Sequence, residues 1–377
     1  MFRTYTLEIS MVRIRTMEVL SFPQRGIMIF AHNDLSQDKR KDAKTMRHRL
    51  VLLFCLVFVN LGIIFAQTDR NNSSQKKITI GLIGKIGTNP VFIAAHSGAN
   101  LAAKELGEKY NVEVVIDWET PETENVQEQA AAIERLTRSG VSGIAISCSD
   151  AKYLTPVIDE AVDKGTPVLC FDSDAPKSKR FAYVGADDME FGKAIMRQLA
   201  KELNGKGTIA VLSGNAHALN QQLRLQGIKE ELKKYPNIVL PESNIFHNIE
   251  IADPSFEMVR REQKAKPNIK GWAFQGSWAL LSKNAFPWNP GEVKIVAGNA
   301  VQAQLEYVKS GYVQSLVGIN CFQYGYKSIE ILLDKIIKNK TPHEPLMYLP
   351  LVPITQENVN EWMFNWNKWL LKEAVNR

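Results

Sequence analysis

From Lys76 onward, apolar and polar positions fall into two alternating patterns. Short runs that are apolar on consecutive positions, such as KITIGLIG (77–84), precede longer stretches in which apolar residues recur every three or four, such as NPVFIAAHSGANLAAKELGEKY (89–110). The first kind reads as a strand buried on both faces, the second as an amphipathic helix. The series continues with strand VEVVID (112–117), helix 123–138, strand GIAIS (143–147), helix 151–164 and strand PVLCFD (167–172). SDAPKSKRFAYVG (173–185) reads as a loop. After it come helix 188–203, strand TIAVLSG (208–214), helix 217–234, strand 238–246, helix 254–265, strand GWAFQ (271–275), helix 277–285 and strand KIVAG (294–298). Strand and helix in strict turn predict an α/β fold of two similar open parallel-sheet lobes, each covered by helices.

The first 66 residues follow neither pattern. After Arg47-His48-Arg49 comes LVLLFCLVFVNLGIIFA, 17 residues from Leu50 to Ala66 without a charge, and then the polar run QTDRNNSSQKK. A basic start, an apolar centre and a small residue at the end are the three parts of a secretory signal, with cleavage expected after Ala66. The run is also just long enough for an uncleaved anchor, since a spanning helix needs roughly 17 to 25 residues. A lipoprotein reading fits less well, because Cys55 lies inside the run behind Phe54. Signals of this type stand at the start of a protein, which points to translation from Met46, with residues 1–45 belonging to an upstream start.

Composition changes the picture in two places. With 45% hydrophobic residues, 46 Lys plus Arg and 40 Asp plus Glu, the 377-residue chain is not collagen-like, mucin-like or wholly disordered. The formal charge of +6 suggests nucleic acid or an anionic membrane, but ten of the basic and five of the acidic residues precede Gln67. The remaining 311 residues therefore carry a net +1, and neither partner is expected. Of four cysteines, Cys55 belongs to the apolar run, leaving Cys148, Cys170 and Cys321. Three thiols make no complete disulfide framework; Cys148 and Cys170 end neighbouring predicted strands and read as buried thiols.

Small-molecule sites in open α/β sheets lie beyond the carboxyl ends of the strands. There the sequence places Gly87-Thr88-Asn89-Pro90-Val91-Phe92, then Asp117-Trp118, Ser147-Cys148-Ser149-Asp150 and Asp172-Ser173-Asp174. Carboxylates, amides and flat aromatic faces suit a sugar, whose hydroxyls take polar partners while its C–H faces stack on rings. The same Asn and Asp residues would also cap the following helices. No GxSxG, HExxH or phosphate-loop motif is present, and the six His show no metal spacing, so no catalytic residues, cofactor or metal are expected.

Several stretches, in order, resemble one known family: NPVF with SGANLAAKELG, GVSGIAISCSDAKYLTPVIDEAVDKGTPVLCFDSDAPKSKR, YVGADDMEFGKAI, GKGTIAVLSG and RLQGIKE. They are similar to the type I periplasmic binding proteins of sugar transport, the ribose-binding-like group, over about Ile78 to Pro353. The resemblance implies two lobes joined by three hinge segments near Ala186, Ile319 and Tyr348, closing over one sugar. The N-terminal lobe would hold residues 77–186 and 320–348, the C-terminal lobe 187–319 and 349–377, with 1–66 as extension and signal peptide. It also implies ligand contacts at Asn89, Phe92, Asp172, Arg224, Phe246 and Gln275, with Asp174 in the same strand-end cluster. Three positions depart from the family pattern: Asn299 stands for a carboxylate, Ile319 for an amide and Ser173 for a guanidinium, so a deoxysugar, modified sugar or small polyol is the implied ligand.

The implied function is that of a monomeric, exported solute-binding protein that delivers its sugar to the membrane permease of an ABC importer. The alternative is a ligand-presenting sensor subunit for a chemoreceptor or histidine kinase, which would use the same pocket. Trp362, Trp366, Trp369 and Leu370 share one face of a C-terminal helix, which reads as docked on the lobe it follows or, less simply, as a contact for a membrane partner.

Overall fold

The computed structural model describes residues 75–374 and, ahead of them, the short antiparallel strand pairs Glu8–Ile9 with Val12–Arg13 and Met17–Ser21 with Ile27–Ala31. A break in packing separates a unit ending at Ser74 from one beginning at Gln75, and the second unit is described below. The start at Met46 and the apolar run Leu50–Ala66 lie outside the described residues. Among the described residues, no helix is long and apolar enough to cross a membrane.

Two sheets form the core. The first takes β1 (Lys77–Ile83), β2 (Glu113–Trp118), β3 (Gly143–Ile146), β4 (Val168–Phe171), β5 (Ala182–Gly185) and, from far along the chain, β12 (Leu346–Tyr348). Their order is β12-β5-β4-β3-β1-β2, parallel throughout. The second runs β7-β6-β9-β10-β11-β13, from β6 (Lys206–Ser213), β7 (Asn237–Val239), β9 (Ile269–Phe274), β10 (Lys294–Asn299), β11 (Ser315–Gly318) and β13 (Val352–Ile354). A further strand, β8 (Ile245–His247), also pairs with β6, and only β13 is antiparallel to its neighbour. The chain passes between sheets three times: between Gly185 and Asp188, between Gly318 and Cys321, and between Tyr348 and Val352.

The inner strands are Val/Ile/Ala/Leu-rich and buried on both faces, as parallel strands covered by helices must be, while the edge strands β2, β7, β12 and β13 are only partly buried. On the first sheet lie α1 (Pro90–Tyr110), α2 (Val126–Ser139), α3 (Ala151–Asp163) and α8 (Cys321–Lys338). The second sheet carries α4 (Asp188–Glu202), α5 (Leu219–Leu232), α6 (Ala252–Ala265) and α7 (Gln302–Lys309). Each sheet has one very close helix pair. A Cβ on Gly98 would strike the Phe322 carbonyl and one on Gly325 the Ala95 carbonyl, locking α1 to α8; Gly192 and Gly227 do the same for α4 and α5.

Four expected elements differ. Strand 238–246 is broken at Pro241, which has no N–H to give; a single turn at Glu242–Asn244 follows, and Asn244 Nδ2 donates to Ile209 O at 3.1 Å in its place. Helix 277–285 is one 3₁₀ turn, Trp278–Leu281, because Ser282 is held extended by Asp253 at 2.7 Å and by the Tyr307 hydroxyl on its carbonyl at 2.9 Å. The stretch read as loop 173–185 contains β5. Finally, α9 (Val359–Ala374) touches helices of both sheets: Trp362 and Trp366 both donate to Ala300 O at 2.8 Å, while Trp369 stacks on Phe322 of α8 at 6.4 Å. Cys148 and Cys170 are buried thiols with Sγ atoms 3.9 Å apart.

Candidate ligand site

Residues leaving the carboxyl ends of the two sheets meet one another. Lys85 after β1 lies 3.3 Å from Glu250 after β8, and Asn215 after β6 reaches Glu124 Oε1 at 2.9 Å and Ser149 O at 3.3 Å. These contacts bring the two strand-end rims face to face around a buried polar cluster.

The first sheet and its helices supply Asp172, Asn89, Phe92 and the hydroxyls of Ser147, Ser149, Ser173 and Tyr324. Asp172 is 6% exposed, sits at φ +55° and accepts Ser147 Oγ at 2.8 Å. Gln129 ties the rim together, its Nε2 donating to Gly84 O and Ser147 O at 2.8 Å each and its Oε1 accepting Ser149 N–H at 3.0 Å. Asn89 caps α1 through Oδ1, which takes Val91 N–H at 3.0 Å. Phe92 packs edge-on against Phe171, and Phe171 is tilted against Tyr324, both with centroids at 6.3 Å.

The second sheet supplies Arg224, Gln275 and the residues around Gly214. Arg224, buried in the α4–α5 contact, donates Nε to Asp188 at 2.8 Å and Nη1 to Gln275 O at 3.0 Å, with its guanidinium 4.0 Å over the Phe191 ring. Gln275 is wholly buried and accepts Ser213 Oγ at 2.8 Å. Gly214 has no room for a side chain: a Cβ there would meet the Glu250 carboxylate, the Trp278 ring and the Gln221 amide.

Within this cluster many buried polar atoms have no protein partner: Arg224 Nη2, Gln275 Nε2, Asn220 Oδ1, Gln221 Oε1, Tyr324 OH and the hydroxyls of Ser149, Ser173 and Ser277. Folded proteins leave few such atoms, because each costs about 1–3 kcal/mol. Eight such atoms lie on or beside the facing rims, which makes this cluster the candidate site for a partner that offers hydrogen bonds.

The charges fit a neutral one. Burial opposes the Lys85 charge, yet Glu250, Glu124 and Asp172 together hold its pKa above the ordinary lysine value. Arg224 is likewise raised, by Asp188, Tyr324 and Asp172 against the cost of burial. Burial pushes Asp188 up to about 6 in spite of Arg224, and burial, then Asp172, keeps Tyr324 a neutral hydroxyl. Both cations are therefore matched by carboxylates, with no surplus positive charge for an anion.

Of the residues singled out from the sequence, the structure gathers Asn89, Phe92, Asp172, Arg224 and Gln275 on the facing rims. It does not bring Asp174 into the cluster's orphaned set: both its oxygens are held by Arg180, Nε at 2.6 Å and Nη2 at 2.5 Å. Phe246 is turned away, lying 5.6 Å from Trp272 with Lys266 Nζ 4.7 Å over its ring. Asn299 ends β10 and Ile319 follows β11, linked by Ile319 N–H to Asn299 O at 3.4 Å; Ile319 is fully buried and Asn299 stands at φ +86°. Trp118 stacks on His96 at 4.5 Å, and Trp272 is core. Lys85, Glu250, Asp188, Gln221 and Tyr324 were missed. A lysine in the glycine-rich end of β1 and an acid between two isoleucines in NIEI (248–251) were the available signals.

Residues 80–340 match the family model described as periplasmic binding protein domain. The D-ribose/D-allose-binding protein of Pseudomonas aeruginosa is 25% identical over 316 residues, 81% of this chain and 95% of that protein. The ribose import binding protein RbsB of Escherichia coli is 24% identical over 71% of this chain and 88% of its own length. Among solved structures, an ABC transporter solute-binding protein from Burkholderia graminis in complex with D-arabinose superposes with a TM-score of 0.68 at 28% identity, covering 75% of this chain and 97% of that one. These relatives are binding proteins rather than enzymes. With two largely parallel sheets joined by three passages, polar strand-end rims that face each other and a family match over most of its length, the chain belongs to the periplasmic binding proteins, in the type I, ribose-binding-like group.

Proposed function

We propose that the protein captures a monosaccharide or a closely related polyol outside the cytoplasm and delivers it, as a monomer, to the permease of an ABC importer. The observation that carries this is the set of eight buried, unpartnered polar atoms on or beside the two facing rims, where the cations are already matched. Asn89, Asp172, Arg224 and Gln275 bond ring hydroxyls in this reading, Phe92 lines the apolar side, and Asn220, Gln221 and Tyr324 join them. The names of the relatives, which bind ribose, allose and arabinose, support a pentose or hexose. The passages at 186–187, 319–320 and 349–351 act as hinges about which two halves close, with residues 77–186 and 320–348 in one and 187–319 and 349–377 in the other. The apolar run Leu50–Ala66 serves as the export signal.

A thermal-shift screen against pentoses, hexoses, deoxysugars and polyols tests the reading. A ligand bound only by the folded state stabilises by mass action, about 2.7 kcal/mol at a hundred times Kd, so one or a few sugars raise the midpoint clearly. If no sugar or polyol moves it while another solute class does, the assignment is wrong.

A further inference from the structure

Eight polar atoms of the cluster have no protein partner, whereas one ion pair that joins the two rims is satisfied within the protein. Lys85 Nζ stands 3.3 Å from Glu250 Oε2, with both side chains 2% exposed, and the other oxygen, Oε1, accepts the Asn215 backbone N–H at 3.0 Å. Both carboxylate oxygens are thus spent within the protein, unlike Arg224 Nη2 or Gln275 Nε2. Lys85 belongs to the first sheet's rim and Glu250 to the second's, so the ion pair spans the cleft.

The backbone is arranged to make this contact. Glu250 stands at φ +58°, a left-handed conformation that costs a non-glycine residue about 1–2 kcal/mol. Asn248 braces it: its Oδ1 accepts Glu250 N–H at 2.6 Å and Ser255 Oγ at 2.8 Å, and its Nδ2 donates to Ser213 O at 2.6 Å. The result is an inverted loop, with Glu250 buried while Ile249 and Ile251 on either side are 64% and 44% exposed. Asn215 adds a second crossing, its Nδ2 bonded to Glu124 Oε1 and Ser149 O.

We propose that Lys85, Glu250 and Asn215 form a clasp that holds the two halves together before any sugar arrives, so that the closed arrangement is populated in the free protein. The proposal rests on the reading of the two sheets as halves that move about their three connections. Separating the halves returns both charges to water, which offsets much of the attraction lost. The clasp therefore biases the equilibrium and does not lock it. A protein whose binding-competent state is already populated loses little affinity to conformational change, so the clasp sets how much of the intrinsic affinity is realised.

Small-angle scattering of the full-length protein without sugar tests this, with circular dichroism as the check on folding. Lys85→Met and Glu250→Gln should each increase the radius of gyration at unchanged helix content, and the swapped pair Lys85→Glu/Glu250→Lys should bring it back toward wild type. Identical scattering for wild type and all variants overturns the clasp. So does unfolding of the single variants without recovery in the swap, which would make the pair a plain requirement of the core. The two readings fail separately. Scattering that follows the clasp while no sugar binds removes the sugar assignment alone, whereas sugar binding with unmoved scattering removes the clasp alone.

Discussion

Asp172 allows a clean removal of charge from the proposed site. At φ +55° it occupies a region where Asn is the best tolerated side chain after Gly, so Asp172→Asn keeps backbone, volume and an oxygen for the Ser147 hydroxyl now held at 2.8 Å. The negative charge goes, and one acceptor oxygen becomes an NH2 donor. A carboxylate bonded to a sugar hydroxyl makes a charge-assisted bond worth about 1.5–3 kcal/mol. At 1.4 kcal/mol per decade, loss of one such bond weakens binding by roughly 10- to 150-fold. Calorimetry with the sugar selected by the thermal-shift screen reads this directly, and the melting midpoint without sugar, expected to change little, shows that the fold survives. Asp172→Ala is the contrast: it should lose the same affinity and also destabilise the fold, because Ala pays about 1 kcal/mol or more for the left-handed backbone. Unchanged affinity in Asp172→Asn, with a normal midpoint, would refute the role of Asp172 as an acceptor.

Two further outcomes are expected. Asp188 has a folded pKa near 6 against 3.8 for the free side chain, so the stability it adds is full below about pH 4 and is lost as pH rises through 6. Two pKa units correspond to about 3 kcal/mol; the stability of wild type relative to Asp188→Asn should therefore grow by up to that amount as pH falls from 7 to 4, measured by urea unfolding, and a flat or opposite trend counts against the assignment. Trp366 is 2% exposed and shares Ala300 O with Trp362, so Trp366→Ala should destabilise by about 3–5 kcal/mol. Trp366→Phe should cost only about 1 kcal/mol in the same denaturation assay, because the carbonyl keeps the Trp362 donor.

The alternation of strand and helix was legible because parallel strands buried on both faces leave an unbroken apolar run in the sequence. Where the run is only four residues, as in Ala182–Gly185, it is lost among its polar neighbours, and β5 was read as loop. The turn at Trp278–Leu281 has helical periodicity, but Asp253 and Tyr307, distant in sequence, decide its end. Site residues followed the same division. Asp172 and Gln275 follow strands, and Arg224 precedes Gly227 by one helical turn, so position and the family pattern together pointed to them. Phe246 shows the opposite case: successive strand residues face opposite sides, and in a three-residue strand nothing in the sequence says which side is inward. Lys85 and Glu250 could not be paired in advance, since their bond joins residues 165 apart and exists only between two sheets.

The glycine contact between α1 and α8 also governs the order in which the protein can be completed. Helix α1 ends at Tyr110, but the helix that seats against it, through Gly98 and Gly325, begins at Cys321, and the edge strand β12 arrives later still. The second half, by contrast, closes α4 on α5 within some forty-five residues, from Asp188 to Leu232. Of the two close helix pairs, the one begun first is therefore completed last. Contacts of such sequence separation form slowly, and until they do, the apolar face of α1 and the flank of β5 stand uncovered while the rest of the chain folds behind them.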